Sequence, residues 1–209
     1  MKGKYIKSPM NYSGGKYRLL KQIMPLFPDK VDTFVDLFCG AGTVGINANA
    51  DKVIFNDYIN YIPELYNTWK NKSLEEINQY IDDTIKKFDL SPTNKTAFEE
   101  FRKHYNETKN VEDLFILICY SFNFQMRFNN SHQYNSSFGY EASTINDNIR
   151  NNINLFVNEI HRKDVTFMSK DFRGVDLSQL DSNDFVYCDP PYLISGAVYQ
   201  EGKRGFKGW

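Results

Sequence analysis

The chain has 209 residues, 41% of them hydrophobic, enough for one globular domain with a smaller insertion packed against it. Its formal net charge of -1 means that any site for a polyanion must come from local segregation of charge. No apolar run approaches the roughly 20 residues that span a bilayer, no secretory apolar core opens the chain, and Cys39, Cys119 and Cys188 lack zinc-ligand spacing. A cytoplasmic protein without membrane spans, disulfides or a structural metal is expected.

Lys2, Lys4, Lys7, Lys16, Arg18 and Lys21 precede the first acidic residue, which reads either as a solvated terminus or as a phosphate-facing one. Over residues 16–27, Tyr17, Leu20, Ile23, Met24 and Phe27 recur at helical spacing behind Gly14 and Gly15, and Pro28 stops the pattern. The β-branched and aromatic run 33–38 predicts a buried strand ending at Gly40, with a helix starting near Thr43. Val53, Ile54 and Phe55 predict a second strand, and Ile59, Ile62, Leu65, Tyr66 and Trp69 a second helix. Strand, loop, helix, repeated, is the grammar of a parallel α/β sheet.

From 71 to 160 that grammar lapses into charged helical stretches over 75–88, 95–105 and 112–122. Within this insertion, 123–141 has no helical period and reads as a long loop or distorted hairpin. Strands resume over 165–168 and 184–188, giving an N-terminal sheet part at 1–70, an insertion at 71–160 and the rest of the sheet at 161–209.

Gly40 and Gly42 lie between a strand and a helix, where bare backbone can approach a ligand at the helix N-terminus; an ordinary tight turn is the bland alternative. Asp57, at the end of the next strand, is placed to accept hydrogen bonds from ribose hydroxyls or to cap a helix. The pair suggests a nucleoside-containing cofactor and leaves a nicotinamide dinucleotide open.

Asp189, Pro190, Pro191 and Tyr192 narrow the chemistry. Two prolines after a buried strand fix an extended backbone whose carbonyls are unpaired. An adenine amine is a poor nucleophile because its lone pair is delocalised into the ring. Acceptors for both of its N–H bonds favour the pyramidal nitrogen, and Asp189 and the Pro190 carbonyl can supply them. Tyr192 offers a face on which an extruded base can stack.

These residues resemble the Dam-type, D12 class DNA adenine N6 methyltransferases over essentially the whole chain. The resemblance implies a Rossmann-like class I S-adenosylmethionine-dependent methyltransferase sheet with an inserted, mainly helical target-recognition domain. It implies cofactor roles for Tyr12, Lys16, Asp36, Gly40, Gly42, Asp57, Asp171, Phe172 and Asp189, and catalytic roles for Asp189, Pro190 and Tyr192. Residues 124–129 and 134–139 are similar to the family's DNA-reading hairpin, except that Ser137 stands where the family has proline. Arg127, Asn129 and Asn135 become DNA-binding candidates on double-stranded DNA, as base readers, phosphate contacts or caps of the hairpin. Lys203 and Arg204, with Lys207, become candidate phosphate contacts. No role in the family matches His104, His132 or His161, and no metal is implied.

A sheet of this class continues past the catalytic loop, so the chain reads as C-terminally incomplete. It is expected to be a shortened enzyme, one half of a split enzyme completed by a second polypeptide, or a non-catalytic remnant that binds DNA or cofactor. An RNA or protein methyltransferase sharing the Pro-Pro-Tyr loop is a further alternative, against which the hairpin weighs.

Overall fold

The computed structural model describes residues 5–12 and 14–191, which form two compact units. The first takes the chain up to Ile77 together with Asp147–Pro190, and the second is built on Asn78–Asn146.

The first unit starts with a 3-10 turn (Tyr17–Leu19), a short α1 (Leu20–Ile23) and a second 3-10 turn (Met24–Leu26). The single helix expected over 16–27 is therefore broken. Pro25 lacks the N–H that would continue the ladder, and Phe27, preceding Pro28, is driven to extended geometry (φ -86°, ψ 158°). There follow β1 (Val31–Asp36), α2 (Thr43–Asn47), β2 (Ala50–Asn56) and α3 (Tyr61–Lys70). β1 begins and ends two residues earlier than the apolar run suggests, because Leu37 and Phe38 already belong to the turn leading to Gly40.

After the second unit come α7 (Asp147–Arg162), β3 (Asp164–Met168) and β4 (Phe185–Tyr187), with α4 to α6 introduced below. The four strands are all parallel in the order β3-β2-β1-β4. In register, Phe34 lies beside Val53 and Phe185, and Val35 beside Ile54 and Val186, so alternate residues supply two faces. On one face Phe55, Phe167, Tyr66 and Phe156 stack with centroids 4.5–5.5 Å apart where α3 and α7 cover the sheet. On the other, Val35 and Leu37 are covered by Val175, Phe172, Leu177 and Leu180 from the β3–β4 connection. α7 buries Ile153, Phe156, Val157 and Ile160, so it belongs to the sheet unit. Residues 78–146, lying within the 71–160 expected for the insertion, form the second compact unit.

The second unit contains the end of α4 (Leu74–Phe88), α5 (Lys95–Thr108), α6 (Val111–Cys119) and the segment 120–146. Asn94 caps α5 by accepting from Ala97 N, and Asn110 caps α6 by accepting from Glu112 N and Asp113 N. α6 is apolar enough to bury every residue from Glu112 to Cys119. Among the described residues no helix is long and apolar enough to cross a membrane.

Candidate active site

Strand order reverses at β1, which pairs with β2 on one side and with β4 on the other. In parallel sheets that switch point opens a crevice beyond the carboxyl ends of the strands, and the loops leaving β1 and β4 border it.

The β1 loop is shaped by Gly40 (φ +48°) and Gly42 (φ +71°), left-handed conformations that other residues adopt with strain. Gly42 is the N-cap of α2. A Cβ at Gly40 would lie 2.9 Å from Cδ1 of Tyr12, so the Tyr12 ring packs against bare backbone. Gly40 N donates to Asp57 Oδ2 at 2.8 Å, and Ile59 N donates to Asp57 Oδ1 at 3.0 Å. Asp57 thereby fixes two backbones, while each carboxylate oxygen keeps a further lone pair for a ligand. Tyr66 OH donates to Ala41 O at 3.1 Å and lies 2.8 Å from Ser8 Oγ, which ties the N-terminal segment to the same loop.

Three carboxylates gather beneath this crevice. Asp36 is fully buried, and its Oδ2 accepts from Gly45 N at 2.9 Å. Burial pushes its pKa up to about 7, helped by Asp57 and Asp189 and opposed by the Gly45 N–H and by Lys16. Burial also raises Asp57, against the pull of its two backbone donors. Lys16 Nζ forms an ion pair with Asp189 Oδ2 and donates to Gly14 O at 2.9 Å. The structure therefore brings Tyr12, Lys16, Asp36, Gly40, Gly42, Asp57 and Asp189 to one end of the sheet.

Asp171 and Phe172 sit just past β3. The Phe172 ring packs on Phe38 at 5.4 Å. Asp171 is bound bidentately by Arg173, at 2.8 and 2.6 Å, and this pairing holds its pKa down to about 2. Pro190 is exposed. Tyr192, Lys203, Arg204 and Lys207 lie outside the described residues.

In the second unit, 125–137 forms a short antiparallel hairpin centred on the Phe128–Tyr134 bridge. Asn135 N donates to Arg127 O at 3.0 Å and Asn129 N to Gln133 O at 2.9 Å, so Arg127 faces Asn135 across the ladder. Met126, Phe128, Tyr134 and Ser136 are buried, whereas Arg127, Asn129 and Asn135 are exposed. The period-two alternation puts the three candidates on one outward face. Asn129 is also structural, because its Oδ1 accepts from Ser131 N and Gln133 N, both at 2.9 Å, and shapes the turn.

Against this geometry, the sequence matches the family described as D12 class N6 adenine-specific DNA methyltransferase over residues 12–204. The chain belongs to this family. It is 51% identical to the type II methyltransferase M.FokI of Planomicrobium okeanokoites and 48% identical to the modification methylase StsI of Streptococcus sanguinis. These alignments cover 98% and 99% of the chain but 32% of each relative, so the chain spans about a third of their length. It is 28% identical to the DNA adenine methylase of Haemophilus influenzae over 88% of the chain and 63% of that protein. The α/β sheet with a glycine loop after β1 is the class I methyltransferase fold of this family.

Several residues that build this candidate site carry no motif. Gly45 holds Asp36, Tyr66 and Ser8 brace the glycine loop, and Lys163 caps α2 by donating to Ile46 O at 3.1 Å and Ala48 O at 2.6 Å. Lys163 is buried and also pairs with Glu159 Oε1 at 3.4 Å one turn before it, but its contacts at the end of α2, 117 and 115 positions away, carry no signal in the sequence.

Proposed function

We propose that the chain supplies the donor-binding and catalytic part of a site-specific methyltransferase that uses S-adenosylmethionine to methylate adenine N6 in duplex DNA. The observation that carries this reading is the meeting, at one strand switch point, of the Gly40–Asp57 hydrogen bond and the Lys16–Asp189 ion pair. The first is a scaffold for a nucleoside, and the second presents an acceptor carboxylate beside it.

The residues fit such a donor. A backbone strip kept bare at Gly40 and Gly42 suits close approach of a ligand at the start of α2, and the Tyr12 ring bounds it. Asp57 would accept from the ribose hydroxyls, and Tyr12, Lys16, Asp36, Asp171 and Phe172 would line the remainder. Bound there, S-adenosylmethionine supplies a methyl group on a sulfonium sulfur.

Asp189 and the Pro190 carbonyl accept the two N–H bonds of a flipped adenine and draw its lone pair out of the ring. The donor, held by Tyr12, Asp57 and Phe172, would supply its methyl group to that nitrogen and keep the carbon–sulfur electron pair, and the surplus N6 proton would leave to solvent. Lys16 orients the Asp189 carboxylate, and Tyr192 would stack on the base. The outward hairpin face with Arg127 and Asn135 would contact DNA, arginine suiting a guanine edge and asparagine an adenine edge. Lys203 and Arg204 would neutralise phosphates.

The test is to incubate the chain with methyl-labelled donor and mixed-sequence duplex DNA and then analyse the nucleosides. Label in N6-methyladenine is expected. Label on cytosine, RNA or protein instead would overturn the reading. Asp189→Ala should lower transfer by about 10²-fold or more.

A further inference from the structure

Asn56 ends β2, the strand between β1 and β3, and its side chain is almost completely buried, at 1% exposure. Its Nδ2 donates to Leu37 O at 3.2 Å and to Lys170 O at 3.0 Å, while its Oδ1 accepts from Lys170 N at 3.0 Å. Its backbone carbonyl accepts from Cys39 N at 2.8 Å. One residue thus holds the turn leaving β1 at two points and the turn leaving β3 at two more, and it is bonded directly to Asp57.

At this end of the sheet the strands stop pairing and their loops diverge. The three loops concerned carry the elements assigned above to the donor: Gly40 and Gly42 beyond Leu37, Asp57 itself, and Asp171 beyond Lys170. Only a primary amide does this job. It needs two N–H donors for two carbonyls and an acceptor for an amide N–H, in a volume already closed to solvent. A carboxylate of the same shape would face two carbonyl oxygens with no proton to offer.

We infer that Asn56 is a positioning residue for donor binding, an internal clamp that sets the spacing of the three loops without touching the ligand. This rests on the donor assignment made under the proposed function. The Gly40–Asp57 hydrogen bond is the most sensitive point, since Gly40 lies just beyond the turn that the amide holds and Asp57 directly follows Asn56 in the chain.

The test is calorimetric titration with S-adenosylmethionine and, separately, with duplex DNA, on wild type, Asn56→Asp, Asn56→Ser and the control Val165→Ala. Val165 is fully buried in β3 and contributes none of the clamp's hydrogen bonds. Asn56→Asp should weaken donor binding by about tenfold or more, which is the loss of one or two buried hydrogen bonds, with DNA affinity held within about twofold. Asn56→Ser, keeping one hydroxyl, should fall between, and it remains informative if Asn56→Asp does not fold. Val165→Ala should lower the melting temperature yet leave the donor constant within about twofold.

Unchanged donor binding in both Asn56 variants would overturn the clamp, as would an equal loss in Val165→Ala. A wild-type chain that binds no donor overturns the donor assignment itself, a result distinct from either.

Discussion

Gly45 shows how little room surrounds the candidate site. A Cβ there would lie 2.5 Å from Phe55 Cε1 and 3.1 Å from Asp36 Oδ2, so Gly45→Ala must displace the buried Phe55 ring or α2 itself. Overpacking of this kind costs about 1–3 kcal/mol, and urea denaturation should show the midpoint falling accordingly. Asp36 makes a second test. Its carboxyl rises from 3.8 to about 7 on folding, so the folded chain holds a proton that the unfolded chain has released across that window. Its contribution is fully present below pH 3.8 and is lost as pH rises through 7, at about 1.4 kcal/mol per pH unit at most. Asp36→Asn keeps an oxygen for the Gly45 N–H and removes the ionisation. Its melting temperature should therefore fall less than that of wild type between pH 4 and pH 8, as scanning calorimetry would record.

Among the elements, the hairpin over 125–137 is a two-stranded ribbon whose outer edge is paired by a helix. Asn106 on α5 donates to Tyr134 O at 3.1 Å and accepts from Tyr134 N at 2.7 Å, as a neighbouring strand would. Arg102 and Lys109, one turn or so on either side, hold Ser136 O and His132 O at 3.1 and 3.0 Å. Asn106→Ala removes both bonds to Tyr134 and should cost about 1–3 kcal/mol locally. Hydrogen exchange should then quicken at Tyr134 and Asn135 but not in β1 or β2. Little of this edge pairing was legible in the sequence. Asn106 lies on a polar stretch of helix, and its partner is 28 positions away. The hairpin itself was legible because it breaks the helical period and carries motif residues. So were α3, α5, β2 and β3, whose apolar spacing is regular. The ends of β1 and the broken helix at Pro25 were not, because apolar residues continue through the turn at Leu37 and through the 3-10 segment alike.

At the scale of the molecule, the parallel sheet followed from the alternation of strands and helices, and Gly40, Gly42, Asp57 and Asp189 announced themselves by motif. The order β3-β2-β1-β4 did not, since it depends on which edge of β1 accepts β4. That choice is secured at the start of β4, where Asp184 Oδ1 accepts from Thr33 N at 2.8 Å and Oδ2 from Asp181 N at 2.9 Å. Asp184→Ala should loosen β4. Because β4 carries Asp189 but the glycine loop hangs from β1, methyl transfer should fall more than donor affinity, which parallel rate and binding measurements would resolve.

The same pairing joins Thr33 and Asp184 across 151 positions. During synthesis, β1 and β2 leave the ribosome early, whereas the edge of β1 reserved for β4 stays uncovered while the second unit and β3 are made. Contacts this distant in sequence are slow to close. Birth order thus separates the two halves of the candidate site: the cradle of glycines can form on the nascent chain, and the Asp189 carboxylate arrives later, just past the strand that covers that edge of β1.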